Sequence, residues 1–194
     1  MAKKILRVGF DLDGVILYNP VRIFRPIMSL IKPLLLGKKS RRFYFPQTGF
    51  EKFVWRILHK TSFIPASGLK DLKKMATEKK IEPYIITARY DFLKDDFHGW
   101  IKKIQGESFL AGYCYNKANE QPHIFKEKTI KNLKLDIFVE DNWGITQYLS
   151  SHSDGTKIFW IDNIFDRHIN YPYKFSNLKK LIKKLEHLYT QGGN

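Results

Sequence analysis

Cysteine occurs once in the 194 residues, at Cys114, which excludes an intrachain disulfide and a multi-cysteine zinc site. Long apolar runs are missing too: no stretch offers the ~18 uncharged apolar residues that a spanning helix needs. The opening residues MAKKILRVGF hold only a short apolar run that leads straight into acids, so a secretory leader is not expected. Acids are scarce, with 19 Asp and Glu against 34 Lys and Arg, a net charge of +15. No internal repeat or low-complexity tract breaks the chain. Hydrophobic residues nonetheless make up 43% and aromatic residues 15%, enough for a packed core and too many for a disordered basic tail. A cytoplasmic globular protein is expected, built as one domain or as one domain with an insertion.

The positive charge is concentrated. Between Asn19 and Pro65 stand ten Lys or Arg against one acid, Glu51, a net +9. From Asn170 onward there are five Lys and one Glu, a net +4, and the rest of the chain carries only +2. A near-neutral body thus bears a basic insert and a basic tail, which points to an anionic partner.

Short apolar runs alternate with amphipathic segments. The runs are Ile5 to Phe10, Tyr84 to Ile86, a weaker one from Ala111 to Tyr115, Asp136 to Val139, and Lys157 to Ile161. Helical periodicity marks 69–79, 92–104, 128–133, 144–150 and 177–188. This pattern predicts an α/β fold with a mostly parallel five-stranded sheet flanked by helices. The first crossover breaks the rhythm, because it holds about 50 residues where far fewer suffice. Residues 19–65 therefore read as a small helical insertion, with helices near 21–36 and 50–59 joined by the basic loop 37–42. Residues 1–18 and 66–194 form the core. Trp55, Phe50 and Phe53 are expected inside the insertion, and Cys114 as inert core.

Polar residues end the apolar runs: Asp11 and Asp13 after the first, Thr87 and Arg89 after the second, Glu140 and Asp141 after the fourth. In an open parallel sheet, ligands bind beyond the carboxyl ends of the strands, so these residues would converge on one edge. Carboxylates gathered there repel one another unless a cation sits among them, and an oxygen-only donor set suits Mg²⁺. Each motif by itself has an ordinary explanation: a turn for Asp-Leu-Asp-Gly, a solvated loop start for Glu140-Asp141, a helix cap for Thr87. Their joint placement, each directly after a β run, is what points to chemistry. His98 and His123 lack the spacing of a metal pair.

The constellation Gly9-Phe-Asp-Leu-Asp-Gly-Val15, Ile86-Thr-Ala-Arg89, Phe125-Lys-Glu-Lys128 and Phe138-Val-Glu-Asp-Asn142 resembles the haloacid dehalogenase (HAD) superfamily of phosphatases. Within it, the Thr-Ala-Arg and paired-acid motifs look most like the 5′(3′)-deoxyribonucleotidase-like branch. The resemblance implies a Rossmann-like core with a C1 cap inserted after the first strand. It also implies a Mg²⁺-dependent hydrolase, nucleotidase-like, acting on a small phosphorylated substrate such as a nucleoside monophosphate. In that scheme Asp11 is the nucleophile and Asp13 the acid and base. Mg²⁺ is held by the Asp11 and Asp141 carboxylates and the Asp13 backbone carbonyl, with Glu140 binding through water. Thr87 and a lysine bind the phosphoryl group. Lys126 is preferred for that lysine, with Lys128 the alternative. Arg89 either reaches substrate or forms a structural ion pair, and Arg41 and Arg42 are candidate substrate-binding residues of the insert. A Glu stands at position 140 where the superfamily often has Asp or Gly, and Val15 does not separate a phosphatase from a phosphomutase.

The basic insert allows three uses. It can cover the site and attract phosphorylated substrates, which is the use preferred here. Its aromatic, cationic stretch from Lys38 to Phe45 can bind nucleic acid, as a binding module or a polynucleotide-end phosphatase. Its apolar run Ile23 to Leu36, followed by basic residues, can lie on an anionic membrane, a peripheral contact that is not expected on the sequence.

Overall fold

The computed structural model describes residues 4–18 and 43–191. The helix expected near 21–36, the loop 37–42, and with it Arg41 and Arg42, lie outside the described residues.

Strand β1 (Leu6–Phe10) lies inside a parallel sheet, between β4 (Ile81–Tyr90) and β6 (Ile137–Glu140). Outside β4 comes β5 (Gly112–Asn116), and outside β6 come β7 (Lys157–Ile161) and β8 (Lys174–Phe175), giving the order β5-β4-β1-β6-β7-β8. The sheet thus has six strands rather than the five expected. The sixth was illegible because its two residues carry no periodicity; it exists through pairing with Trp160 and Ile161 of β7. The order also reverses direction at β1, which makes the carboxyl end of β1 the switch point.

Side-chain alternation along the strands loads both faces. Val8, Phe10, Ile85, Val139 and Phe159 pack with Leu72 of α2 (Leu69–Thr77), Phe97 of α3 (Lys94–Lys103) and Leu181 of α6 (Leu178–Gln191). Ile86, Phe138 and Ile158 face the other way, onto Ile130 of α4 (Pro122–Leu133) and Leu149 of α5 (Trp143–His152). Full burial on both faces explains why these strands read as continuous apolar runs. Helix α4 starts six residues before the periodic segment predicted it, since Pro122 at its first turn tolerates the missing N–H.

Before and after residues 19–63, β2 (Leu17–Tyr18) and β3 (Ile64–Pro65) pair as a short antiparallel ribbon. Helix α1 (Gly49–Lys60) precedes β3 and begins at a capping box in which Thr48 and Glu51 bind each other's backbone N–H groups. Phe50 and Phe53, expected inside the insertion, are instead 75% and 57% exposed. The helix is turned so that Glu51, Trp55 and His59 face inward, half-buried. Trp55 packs against the rings of Tyr44 and His59.

Candidate active site

The carboxyl end of β1 delivers Asp11 and Asp13 to the switch point. The Asp11 backbone N–H donates to the Val139 carbonyl at 2.9 Å, so the residue is held between β1 and β6. The chain then coils through one turn, with the N–H groups of Ile16 and Leu17 both donating to the Leu12 carbonyl. Gly14 makes this turn with φ +91, and a Cβ at that position would run into the Asp141 carboxylate. Both the dihedral and the close approach require glycine.

From β6 come Glu140 and Asp141, both buried. The Glu140 carboxylate turns back on its own loop, where Oε1 accepts from the Asp141 and Asn142 backbone N–H groups at 3.0 and 2.9 Å. Its Oε2 accepts from Lys126 Nζ at 2.6 Å. Asn142 caps α5 by accepting from the Ile145 N–H, and the Trp160 indole donates to the Asp141 carbonyl. The loop that carries both acids is therefore held at four points.

Lys126, one turn into α4, is buried, with its Nζ 3.0 Å from Asp11 Oδ1 as well. Desolvation opposes its charge, but Asp11 and Glu140 outweigh this and hold the ammonium well above its ordinary pKa. Lys128 faces solvent, 60% exposed and paired with Glu120. Asp11, Glu140 and Asp141 bring carboxylate oxygens within 4.8 Å of one another. Burial pushes the Asp11 carboxyl well above the usual range; Lys126 opposes this, and Glu140, Asp141 and Asp13 add to it. Burial likewise raises Glu140. Three buried acids against one lysine form an all-oxygen donor set short of positive charge, which fits a hard divalent cation such as Mg²⁺.

Thr87 lies buried within β4, just before the pairing with β5 shifts register, and its Oγ1 accepts from the Arg89 N–H at 3.3 Å. Arg89 is buried and committed to carboxylates: Nε and Nη2 each donate to Asp13 at 2.8 Å, and Nη1 donates to Asp96 in the first turn of α3. Of its two alternatives, the structural ion pair is the one this geometry contains. Burial pushes the Asp13 carboxyl up, but Arg89 outweighs it and His59, 3.7 Å away, assists, so the carboxyl is held well below the ordinary range.

Asp96 and His59 were not singled out from the sequence. Asp96 sits among ordinary helix-start acids, and nothing local marks it as a partner of Arg89. His59 leaves a weak trace, because it lies on α1 opposite the apolar stripe. His98 and His123 pack against aromatic rings, Tyr115 and Tyr148 among them. Cys114, expected in the core, is only half-buried, since the edge strand β5 leaves it partly open; that burial still pushes its thiol up, away from a reactive thiolate.

No protein-family model and no curated protein matches the sequence. Solved structures do match the fold. YfnB of Bacillus subtilis, described as a HAD hydrolase and solved with magnesium bound, aligns with a TM-score of 0.63 at 13% identity, over 95% of this chain and 100% of its own. CbbY of Rhodobacter sphaeroides, solved with phosphate, aligns at 0.57 and 12% identity over 92% and 96%. A HAD-superfamily hydrolase of Ehrlichia chaffeensis aligns at 0.54 and 13% identity over 97% and 99%. The chain shares the Rossmann-like fold of HAD-superfamily hydrolases.

Proposed function

We propose that this chain is a HAD-type phosphatase that hydrolyses a small phosphomonoester, with a nucleoside monophosphate as the first candidate. The observation that carries this reading is the Lys126 ammonium between Asp11 and Glu140, beside Asp141. A buried lysine next to a carboxylate nucleophile supplies the counter-charge that a phosphoryl group needs there.

Asp11 Oδ attacks phosphorus, forming an aspartyl-phosphate as the bond to the leaving oxygen breaks. Asp13 gives its proton to that oxygen and then takes one from the water that cleaves the acyl-phosphate, releasing inorganic phosphate. Thr87 donates its hydroxyl to a phosphoryl oxygen, and Lys126 neutralises the charge that remains. Mg²⁺, held by the Asp11 and Asp141 carboxylates and the Asp13 carbonyl, with Glu140 through water, would offset repulsion between Asp11 and the phosphate dianion. Glu140 also orients Lys126, since one of its oxygens is bound to that ammonium and the other to the loop.

The Arg89 pair adds a condition. In this arrangement Asp13 is an ionised carboxylate, suited to the base half of the cycle. Acting as an acid requires the carboxyl to leave Arg89 and pick up a proton, with Asp96 retaining the guanidinium. A phosphomutase is the second reading, since a β-phosphoglucomutase-like protein of Thermotoga maritima shares the fold.

The test is Mg²⁺-dependent release of phosphate from an aryl phosphate, then a screen of nucleoside monophosphates, sugar phosphates and 3′-phosphorylated oligonucleotides. Asp11→Asn is expected to abolish release. Equal activity in Asp11→Asn, or no release from any ester, overturns the phosphatase. Turnover that requires a bisphosphate activator and yields an isomer selects the mutase.

A further inference from the structure

Helix α1 is amphipathic with its apolar side outward. Phe50, Phe53, Val54, Ile57 and Leu58 repeat at the spacing of one helical stripe, and all five are exposed, from 37% at Val54 to 75% at Phe50. No residue of α1 is buried. Phe63 and Ile64, just beyond the helix, are also exposed, at 52% and 43%. An apolar patch of this extent marks an interaction surface.

The surrounding charge narrows the partner. Arg56 and Lys60 are exposed on α1, and Glu51 is the helix's single acid. Glu51 is occupied at the helix cap, where it accepts from the Gln47 and Thr48 backbone N–H groups. A second copy of the chain would set Arg56 and Lys60 against the same two cations of its partner, which charge complementarity disfavours. Nucleic acid would satisfy the cations but gains little from the aliphatic Val54, Ile57 and Leu58, which have no ring to stack. Hydrocarbon and negative charge along one plane are what an anionic lipid surface offers.

We propose that the outward face of α1 docks this chain on an anionic lipid bilayer. On the sequence a peripheral membrane contact is not expected, and Phe50 and Phe53 are expected inside the insertion; α1 instead turns both outward. The opposite side of the same helix brings His59 to 3.7 Å from Asp13. Docking therefore sets the carboxyl edge of the sheet about one helix diameter, roughly 10 Å, from the lipid surface. The inference is independent of the phosphatase reading, since it rests on α1 and its charge alone.

The experiment is co-sedimentation of the full chain with phosphatidylcholine vesicles, with and without phosphatidylglycerol. Binding at least about tenfold stronger to the anionic vesicles is expected, weakening as salt rises. The double variant Phe53→Glu, Ile57→Glu is expected to lose about tenfold or more of that binding while keeping its circular dichroism and its rate on a soluble ester. Arg56→Glu with Lys60→Glu should lower the preference for anionic over neutral vesicles. Absence of vesicle binding, or binding unchanged by Phe53→Glu, Ile57→Glu, overturns the proposal. So does a dimer in light scattering that this variant dissociates while vesicles are ignored, which would assign the stripe to a second copy. A large fall in Tm for the same variant without vesicle binding would assign it to the chain's own residues. Single-stranded oligonucleotide bound more tightly than vesicles, and equally by the variant, would assign the charge to nucleic acid.

Discussion

Arg89 clamps Asp13 side-on: Nε and Nη2 of the guanidinium donate to the two carboxylate oxygens, both at 2.8 Å, and Nη1 is anchored on Asp96. The pair holds the proposed acid and base of the reaction in its ionised form, and it ties the end of β1 to the end of β4.

Replacing Arg89 with Met leaves a buried carboxylate without its partner, and a loss of about 3–5 kcal/mol is expected in urea unfolding at neutral pH. The Asp13 pKa is lower in the folded protein than in the unfolded chain, where it is about 3.9. The stabilisation is thus present above that value and is lost as pH falls beneath it, so wild type and Arg89→Met should converge in acid. A gap that stayed constant from neutral to acid pH would contradict the ion pair. In the pH-rate profile the variant's acid limb should move upward, because burial then acts on Asp13 without the guanidinium.

Lys126 and Lys128 separate cleanly. Lys126→Met should reduce phosphate release by about a hundredfold or more, since it removes charge from the position facing the transferring group. Lys128→Ala breaks an exposed pair with Glu120 and should change stability by less than about 0.5 kcal/mol, with activity intact. Equal losses in the two variants would contradict the assignment. Urea unfolding of Lys126→Met separates loss of chemistry from loss of fold.

Divalent metal should stabilise the protein. Burial and mutual repulsion oppose ionisation of Asp11 and Glu140, and a cation among the three acids relieves both. At a hundred times its Kd, Mg²⁺ should add about 2.7 kcal/mol, visible as a rise in Tm that EDTA reverses. Asp141→Asn should weaken that response, and an undiminished shift would place the metal elsewhere.

Gly14→Ala tests the approach of the β1 turn to Asp141. The added methyl meets both an unfavourable φ and the carboxylate, so a stability loss of about 1–3 kcal/mol is expected. Displacement of Asp141 should cost activity on the order of a hundredfold. Gly155→Ala is the control, since Gly155 also has positive φ, +80, but a Cβ there meets nothing. It should show strain in the unfolding curve and no change in rate.

The acids at the ends of β1 and β6 were legible because strand burial writes continuous apolar runs, and the first polar residues that end them stand out; Thr87 stood out in the same way, although β4 continues past it to Tyr90. The sixth strand was not, because two residues carry no period. Nor was the partner of Arg89, since Asp96 follows it by seven residues and meets it only through the packing of α3 on the sheet.

By itself the sequence determined the α/β alternation, the converging acids and the concentration of charge in residues 19–65, all of which depend on local composition and spacing. Tertiary structure alone decided that Lys126 rather than Lys128 touches Asp11, that Glu140 spends one oxygen on its own loop, and that α1 turns its apolar stripe outward. These depend on helix rotation and side-chain reach across distant segments. A periodic pattern shows that a helix has two faces; only packing determines which of them meets the core.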